Sequence, residues 1–255
     1  MSPLADALVA IGDDHLVLGH RVSEWCGHAP MLEEDLSLPN IALDLIGQAR
    51  ALYGLAVELG APHPQGRGDA DEDAIAYLRT DRQYRNVLLV ERPNGDFAHT
   101  MLRQLYFSAF QHPFWQAAQS SADTRVAGIA AKAVKEAAYH VRHCGEWVVR
   151  LGDGTEESAR RMREAVEALH PYTQELFTVT PALRECIGRD LLPDPASLRQ
   201  GWEATIGEVF GLAFLTAPEV PHPQRGGREG RHTEAFGHLL SDLQYMQRTY
   251  PGAKW

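Results

Sequence analysis

Residues 131–155 read AKAVKEAAYHVRHCGEWVVRLGDGT, and this stretch decides the fold. Steps of three and four along a helix place two ionisable residues, Glu136 and His140, on a stripe that is otherwise apolar. The apolar members of this stripe are Val126, Ile129, Ala133, Trp147 and Leu151. A Glu and a His one turn apart can begin a metal site or a proton-handling site, and they can equally form a buried salt bridge. The residues that neighbouring helices bring to the stripe decide between these chemistries.

The composition is that of an ordinary globular protein. The chain has 255 residues, of which 44% are hydrophobic and 23% are charged, so it can bury a sizeable core and is too apolar for long disorder. A formal net charge of −10 disfavours nucleic acid as a partner, because phosphate contacts require a basic surface.

The sequence carries no signal for a membrane or for export. No apolar run approaches the roughly 20 residues that cross a bilayer, and the stretch MSPLADALVAIGDDH lacks the basic residues that open a signal peptide. Cys26, Cys144 and Cys186 are far apart and odd in number, which is typical of the reducing cytoplasm. We therefore expect a cytoplasmic protein with no membrane partner and no nucleic-acid partner.

Apolar residues at helical spacing predict four long helices, and no stretch alternates as a strand would. These helices cover 4–25, 33–59, 97–115 and about 122–151. The second is apolar nearly all round, which is typical of a helix buried on most sides. Four long buried helices with smaller ones around them predict an all-α fold, a four-helix bundle with additional peripheral helices.

We interpret residues 1–255 as one domain, with a core bundle at about 4–177 and a C-terminal helical extension at about 178–255. The last helix is predicted to turn Phe236 and Met246 inward. The smaller predicted elements are a loop at 60–71, one or two short helices at 71–93, a fifth helix from Thr155, an irregular segment at 178–194, a helix at 196–215, a partly basic loop at 217–231 and a last helix at 233–250.

Buried carboxylates and a histidine on bundle helices suggest a ferritin-like di-iron protein. Such a site takes one carboxylate from each of two helices and a Glu-x-x-His pair from each of the other two. On the second helix the pair would be Asp44 and Gly47, and glycine has no donor atom. On the fourth helix it would be Glu136 and Tyr139, with His140 one residue late. The third helix contains no Asp or Glu, so its bridging carboxylate is missing.

Two other pairs have the required spacing, and neither is a good ligand pair. Glu167-x-x-His170 lies on a helix whose other members resemble surface residues. Asp96-x-x-His99 lies at a helix start, where Asp96 is better explained as the N-cap.

We therefore predict a satisfied polar cluster inside the bundle, at the position of a degenerate metal site, formed by Asp44, Gln48, Glu136 and His140. Asp13 and Asp14 on the first helix are further candidates for this position. We predict no catalytic, cofactor-binding or metal-binding residue in the chain. The sequence also lacks a Gly-x-Ser-x-Gly elbow, a P-loop and a Gly-x-Gly-x-x-Gly fingerprint.

Four long stretches carry a resemblance to a known family. They are residues 18–50, 82–100, 131–158 and 232–255, which begin LGHRVSEWCGHAP, RQYRNVLLVERP, AKAVKEAAYHVRH and HTEAFGHLLSDLQ. They closely resemble the C-subunit (PaaC) family of phenylacetyl-CoA 1,2-epoxidase, also called ring-1,2-phenylacetyl-CoA oxygenase. The resemblance covers essentially the whole chain, and 60–69 and 217–230 are the parts least tied to the family.

The resemblance implies a supporting role in a bacterial multicomponent monooxygenase. In that family the catalytic A subunit holds the di-iron centre and binds phenylacetyl-CoA, and the ferritin-like C subunit pairs with it without a working metal site. A small B subunit and a reductase with flavin and an iron–sulfur cluster complete the system. The resemblance therefore implies a heterodimer with the A subunit inside a higher assembly, and no cofactor in this chain.

The third helix carries more bulky aromatic residues than one core stripe needs. Part of this helix, or of the final helix, could dock on the catalytic subunit, or the whole third helix could be internal core. Its aromatic residues are Tyr106, Phe107, Phe110, Phe114 and Trp115.

Two other functions stay open from the residues. One is a self-sufficient ferritin-like di-metal oxidase or oxygenase that uses Asp44, Glu136, His140 and an acid near Asp13 or Asp14. The other is an independent helical ligand-binding protein.

Overall fold

The computed structural model describes residues 1–66 and 68–253. Arg67, within the predicted loop 60–71, lies outside the described residues. So do residues 254 and 255, which end the last of the four resembling stretches.

The described chain is helical and contains no β-strand, so the predicted all-α class is confirmed. Its α-helices are α1 Pro3–Ser23, α2 Leu32–Glu58, α3 Glu72–Tyr77, α4 Leu88–Glu91, α5 Phe97–Ala118, α6 Thr124–Gly152, α7 Glu156–Leu169, α8 Pro181–Ile187, α9 Arg199–Leu212 and α10 Glu234–Thr249. Short 3₁₀ helices span Asp81–Gln83, His170–Phe177, Pro195–Leu198 and Gly227–Glu229. The four predicted long helices are α1, α2, α5 and α6.

Capping residues set where these helices begin. The Ser2 side chain accepts a hydrogen bond from the Ala5 backbone N–H at the start of α1. Asp96 does the same for α5 and Thr155 for α7, as their positions in the sequence predict. At α2, where no side chain caps the helix, three acidic residues occupy the first turn and interact favourably with the helix dipole.

The chain divides into two compact units. The first combines the described part of Met1–Pro93 with that of Gly226–Trp255, and the second is Asn94–Arg225. Residues from the predicted extension are therefore found in both units, with α8 and α9 in the second and α10 in the first. The interpretation of residues 1–255 as one domain stays a prediction.

In the first unit, α1 and α2 pack against each other as a helical hairpin. α1 contacts α4, α2 contacts α3, and α10 returns to α1, α3 and α4. In the second unit, α5 and α6 form another hairpin, and α7 and α9 pack on both of its helices.

α5 is buried over most of its length, with exposed residues near its C-terminal end. The five aromatic residues Tyr106, Phe107, Phe110, Phe114 and Trp115 are at most 4% exposed, so they belong to the core and not to a docking surface. Docking through part of the final helix stays a prediction. Tyr106 packs against the ring of Trp202 from α9, and the Trp202 indole N–H donates to the Tyr106 carbonyl oxygen at 2.9 Å.

The buried face of α6 differs from the predicted stripe. Its members include Val126, Ala130, Ala133, Ala137, His140, Cys144, Gly145 and Val148, whereas Ile129, Glu136 and Trp147 lie half-buried at its edge. Small residues dominate this face because it packs against the bulky side chains of α5.

Two smaller predictions are also wrong. The segment 178–194, predicted to be irregular, contains α8, which Thr180 caps and Pro181 opens in its favoured first position. Met246, predicted to point inward from the last helix, is 39% exposed, whereas Phe236 is fully buried as predicted.

None of the helices within the described residues combines the length and the apolar character that a membrane span requires.

Replacing Gly152 with alanine should destabilise the protein. The added methyl group would overlap the backbone carbonyl oxygen of Ala213 and would lie 2.8 Å from the Ala213 Cβ. Overpacking of this kind costs roughly 1–3 kcal/mol. Gly128→Ala on the same helix is the matched control, because nothing lies within 4 Å of its added Cβ.

The control should stabilise the protein by about 1 kcal/mol through helix propensity alone. Urea unfolding of both variants measures the two free energies. Effects of the same sign at the two positions would contradict the close approach of α6 and Ala213 at Gly152.

Candidate functional site

The structure places the predicted polar residues in both units. Asp44 and Gln48 lie on α2 in the first unit, where Asp44 is half-buried and Gln48 is buried. Glu136 and His140 lie on α6 in the second unit, where His140 is 2% exposed. All four residues have interaction partners. That the four form one cluster stays a prediction.

Glu136 lies at the edge of the packed face of α6 and is half-buried. Its side chain is 15% exposed and forms an ion pair at 3.4 Å with Lys132, whose side chain is 75% exposed. Such a pair contributes at most about 1 kcal/mol. His140 packs edge-on against the ring of Tyr139.

The two pairs set aside from the sequence are not ligand pairs in the structure. Glu167 is exposed on α7, whereas His170 is buried and its Nδ1 lies 3.0 Å from the Tyr106 hydroxyl. Burial lowers the pKa of His170. Asp96 accepts the backbone N–H of His99 at 3.0 Å, so its role as an N-cap is confirmed.

The most highly charged buried site of the described chain surrounds Asp13. This carboxylate is fully buried and forms a two-pronged ion pair with the Arg79 guanidinium, whose side chain is 6% exposed. The Tyr53 hydroxyl donates to Asp13 at 2.6 Å, and the Arg85 backbone N–H donates to it at 2.7 Å. Asp13 therefore has a full set of donors inside the first unit.

Arg79 is in turn held in place by several neighbours. Its guanidinium donates to the Gln83 carbonyl oxygen at 3.2 Å and lies over the ring of Tyr84, 4.0 Å from the centroid. Burial opposes the charge of Arg79, yet the coulombic attraction of Asp13 raises its pKa. Burial, together with Asp13, also raises the pKa of Tyr53 well above its ordinary value, so the phenol stays a donor.

Asp14, the next residue, has an arginine of its own. Arg228 donates to both Asp14 oxygens, at 3.1 and 2.6 Å, and the Val87 backbone N–H donates at 2.8 Å. Arg228 also donates to the carbonyl oxygens of Ala10 and Arg85. Burial raises the pKa of Asp14 to about 6, against the opposing effects of Arg228 and the Val87 N–H.

A third buried acid completes the set. The Glu91 side chain is fully buried, with one oxygen 2.7 Å from His232 Nδ1 and the other accepting the Thr233 backbone N–H at 2.6 Å. The Asn86 side-chain amide donates to Glu91 at 2.8 Å. Burial lowers the pKa of His232, but Glu91 outweighs it and the net pKa is raised.

The three acids, Asp13, Asp14 and Glu91, together with Arg79, Arg228 and His232, are called the buried ion network below. Each acid has a cationic or basic partner inside the protein, and an acid that already holds a guanidinium is poorly suited to bind a metal ion as well. Within residues 1–66 and 68–253, no group of three Asp, Glu, His or Cys side chains is arranged to hold a metal ion. The geometry of this network is that of buried ion pairs that hold separate segments of the first unit together.

The basic half of this network was missed from the sequence. Arg79 lies in a stretch that the sequence predicts only as short helices. Arg228 lies in the partly basic loop 217–231, and nothing in the sequence identifies the acid that it pairs with. The available signal was the adjacent pair of acids on an apolar helix, which must find cations from elsewhere in the chain. Gly227 allows the approach, because a Cβ at this residue would overlap the backbone carbonyl oxygen of Asn86.

Comparison with known proteins agrees with the resemblance seen in the sequence, which is confirmed. Residues 1–255 match the model of a family described as phenylacetic acid catabolic protein. The chain is also 42% identical over 255 residues to the C subunit of 1,2-phenylacetyl-CoA epoxidase from Escherichia coli (strain K12), and the match covers 100% of both chains.

Replacing Arg228 with alanine should destabilise the protein by roughly 3–5 kcal/mol, because it leaves the buried Asp14 carboxylate without its cation. Arg231→Ala is the matched control in the same segment. Its ion pair with Glu229 is exposed, with side chains 70% and 65% accessible, so its loss should cost under about 1 kcal/mol. Chemical unfolding measures both changes.

Adding Asp14→Asn to the Arg228→Ala variant should recover part of the lost stability, since the unpaired charge is removed. No recovery would mean that Arg228 acts through its carbonyl contacts rather than through Asp14.

The stability contribution of Asp14 should fall as pH rises. The pKa of Asp14 is about 6 in the folded protein, against an ordinary value of 3.8, so between these values the folded state binds more protons. The free energy of unfolding of the wild type, minus that of Asp14→Asn, should therefore decrease from about pH 4 to about pH 6 and level off above about pH 7. Urea unfolding across this range measures the difference, and an increase with pH would contradict the raised pKa.

Proposed function

Because the chain belongs to the family of phenylacetic acid catabolic proteins, we propose that it is the C subunit of a phenylacetyl-CoA 1,2-epoxidase. The observation that carries the proposal is the 42% identity to the C subunit of that enzyme, which extends over the full length of both chains. The family is ferritin-like, in agreement with the all-helical fold.

Within such a complex, this chain supports catalysis and does not perform it. It pairs with the A subunit, which holds the di-iron centre, and works beside a B subunit and a reductase that holds flavin and an iron–sulfur cluster. The arrangement of its own acids supports this role. Asp13 and Asp14, the candidate ligands on α1, are bound to arginines.

The other ligand positions support the same role. α5 has no carboxylate, Gly47 has no donor atom, and the half-buried Glu136 pairs with the exposed Lys132. A ferritin-like dinuclear site needs all of these positions. In the part of the chain that the structure describes, no group of potential metal ligands favours the di-metal oxidase alternative.

Omission of the chain from a reconstituted epoxidase tests the proposal. The A and B subunits, the reductase with an electron donor, dioxygen and phenylacetyl-CoA are combined with and without this chain, and epoxide formation and iron content are measured. The proposal requires that activity depend on the chain and that the purified chain bind far less than two irons. About two irons per chain, or epoxidation that does not change on omission, would overturn it.

Replacing Glu136 with alanine or glutamine should leave epoxidation by the assembled complex within about twofold of the wild type. The ion pair that is lost joins Glu136 to Lys132, whose side chain is 75% exposed, and a pair with a solvent-exposed partner contributes roughly 1 kcal/mol or less. Activity is normalised to the amount of complex recovered by size-exclusion chromatography. A normally assembled complex without activity would reveal a catalytic role for Glu136.

A further inference from the structure

The outward face of α2 exposes three leucines to solvent, beside the exposed polar residues Asn40 and Arg50. Leu32 is 70% exposed, Leu36 is 61% exposed and Leu43 is 67% exposed. At 100° per residue these three side chains lie within an arc of about 40°. They form one straight strip along the helix rather than scattered surface leucines.

The strip continues toward the C-terminal end of α2 with small residues. Gly47 and Gly54 fall near the same arc, and nothing lies within 4 Å of a Cβ added at either. Arg50 also lies in this arc, and its charge is met by Glu72 at 3.1 Å. Leu32, Leu36, Leu43, Gly47 and Gly54 are called the α2 strip below.

A helix face that stays in water normally carries polar residues. The near-continuous apolar character of α2 predicts a helix buried on most sides, yet the described chain leaves the α2 strip uncovered. Contiguous exposed apolar surface of this kind marks an interaction site.

We propose that the α2 strip is the docking surface for a helix of the catalytic A subunit; the inference rests on the function proposed above. The side chains of the strip are large at its N-terminal end, where the leucines lie, and its C-terminal end has only glycines. The partner helix therefore presents small side chains to Leu32 and Leu36 and bulky apolar side chains to the open space above Gly47 and Gly54.

Charge favours a different subunit over a second copy of this chain. The exposed acids Glu33 and Glu58 flank the strip, and the charge of Arg50 is already compensated by Glu72. The whole chain carries a formal charge of −10, so a second copy would bring like charge to like charge. The partner therefore carries basic residues around its own apolar helix.

The area of the strip is large enough to form the centre of a protein–protein interface. From Leu32 to Gly54 the helix rises about 33 Å, and at a width of 10–12 Å the strip covers roughly 330–400 Å². A standard interface buries about 800 Å² on each partner, so the strip supplies about half of it and the flanking residues supply the rest.

The test compares two substitutions at exposed leucines. Leu43→Arg places a charge at the centre of the strip, and Leu212→Arg, at a leucine 59% exposed on α9, is the matched control. Each variant is co-expressed with the tagged A subunit from the same source, and the amount of this chain that co-purifies is measured. Leu43→Arg should weaken the complex about 30-fold or more, and Leu212→Arg should leave it unchanged.

A second variant separates lost docking from lost folding. Gly47→Leu fills the open space on the strip and improves helix propensity, so it should raise the thermal midpoint of the isolated chain while weakening the complex. Complexes of normal affinity with Leu43→Arg or Gly47→Leu would overturn the docking surface and leave the proposed function intact.

The wild-type chain tests the premise in the same experiment. A wild-type chain that does not co-purify with the A subunit would overturn the proposed function, and this inference with it. A wild-type chain that forms a dimer by itself, broken by Leu43→Arg, would overturn the A subunit as the partner and assign the strip to a second copy.

Discussion

Two adjacent aspartates, buried side by side on α1, are the constraint on which the first unit depends. Asp13 and Asp14 are at most 1% exposed, and a carboxylate in such surroundings is costly unless a cation and hydrogen-bond donors reach it. The cations come from Arg79 and Arg228. Because both acids must be compensated at once, the segments that carry these arginines are drawn onto the α1–α2 hairpin, and a unit forms from two distant parts of the chain.

The same interactions bear on function. In a ferritin-like protein, buried acids on the long helices are the natural ligands of a dinuclear metal centre. Here the acids of α1 compensate arginines, and α5 uses its interior for aromatic packing around Tyr106. The acids of α1 and the interior of α5 therefore contribute to ion pairing and packing, and the surface feature that stands out is the α2 strip. The supporting role proposed above would use this combination of a packed interior and an exposed apolar strip.

The features that could be predicted from the sequence are those that depend on a few neighbouring residues. N-caps such as Asp96 and Thr155 act within a few residues, so the starts of α5 and α7 followed directly from the sequence. The buried face of α6 did not, because helical spacing alone places Ile129 and Trp147 on that face. In the protein the aromatic residues of α5 fill the shared space, so α6 presents small residues such as Ala130 and Ala137, and Trp147 lies at the edge. Complementary volume across a contact is not visible in one helix alone.

By itself, the sequence determined the all-α class, the family and the absence of a carboxylate on α5, because these depend on periodicity, extended similarity and residue identity. Only the tertiary structure decided how the buried acids are compensated. Arg79 lies 66 residues from Asp13, and Arg228 lies 214 residues from Asp14. Pairing over such separations depends on where the chain returns in space. The tertiary structure also decided that the leucines of α2 remain in solvent, because burial depends on what the rest of the chain covers.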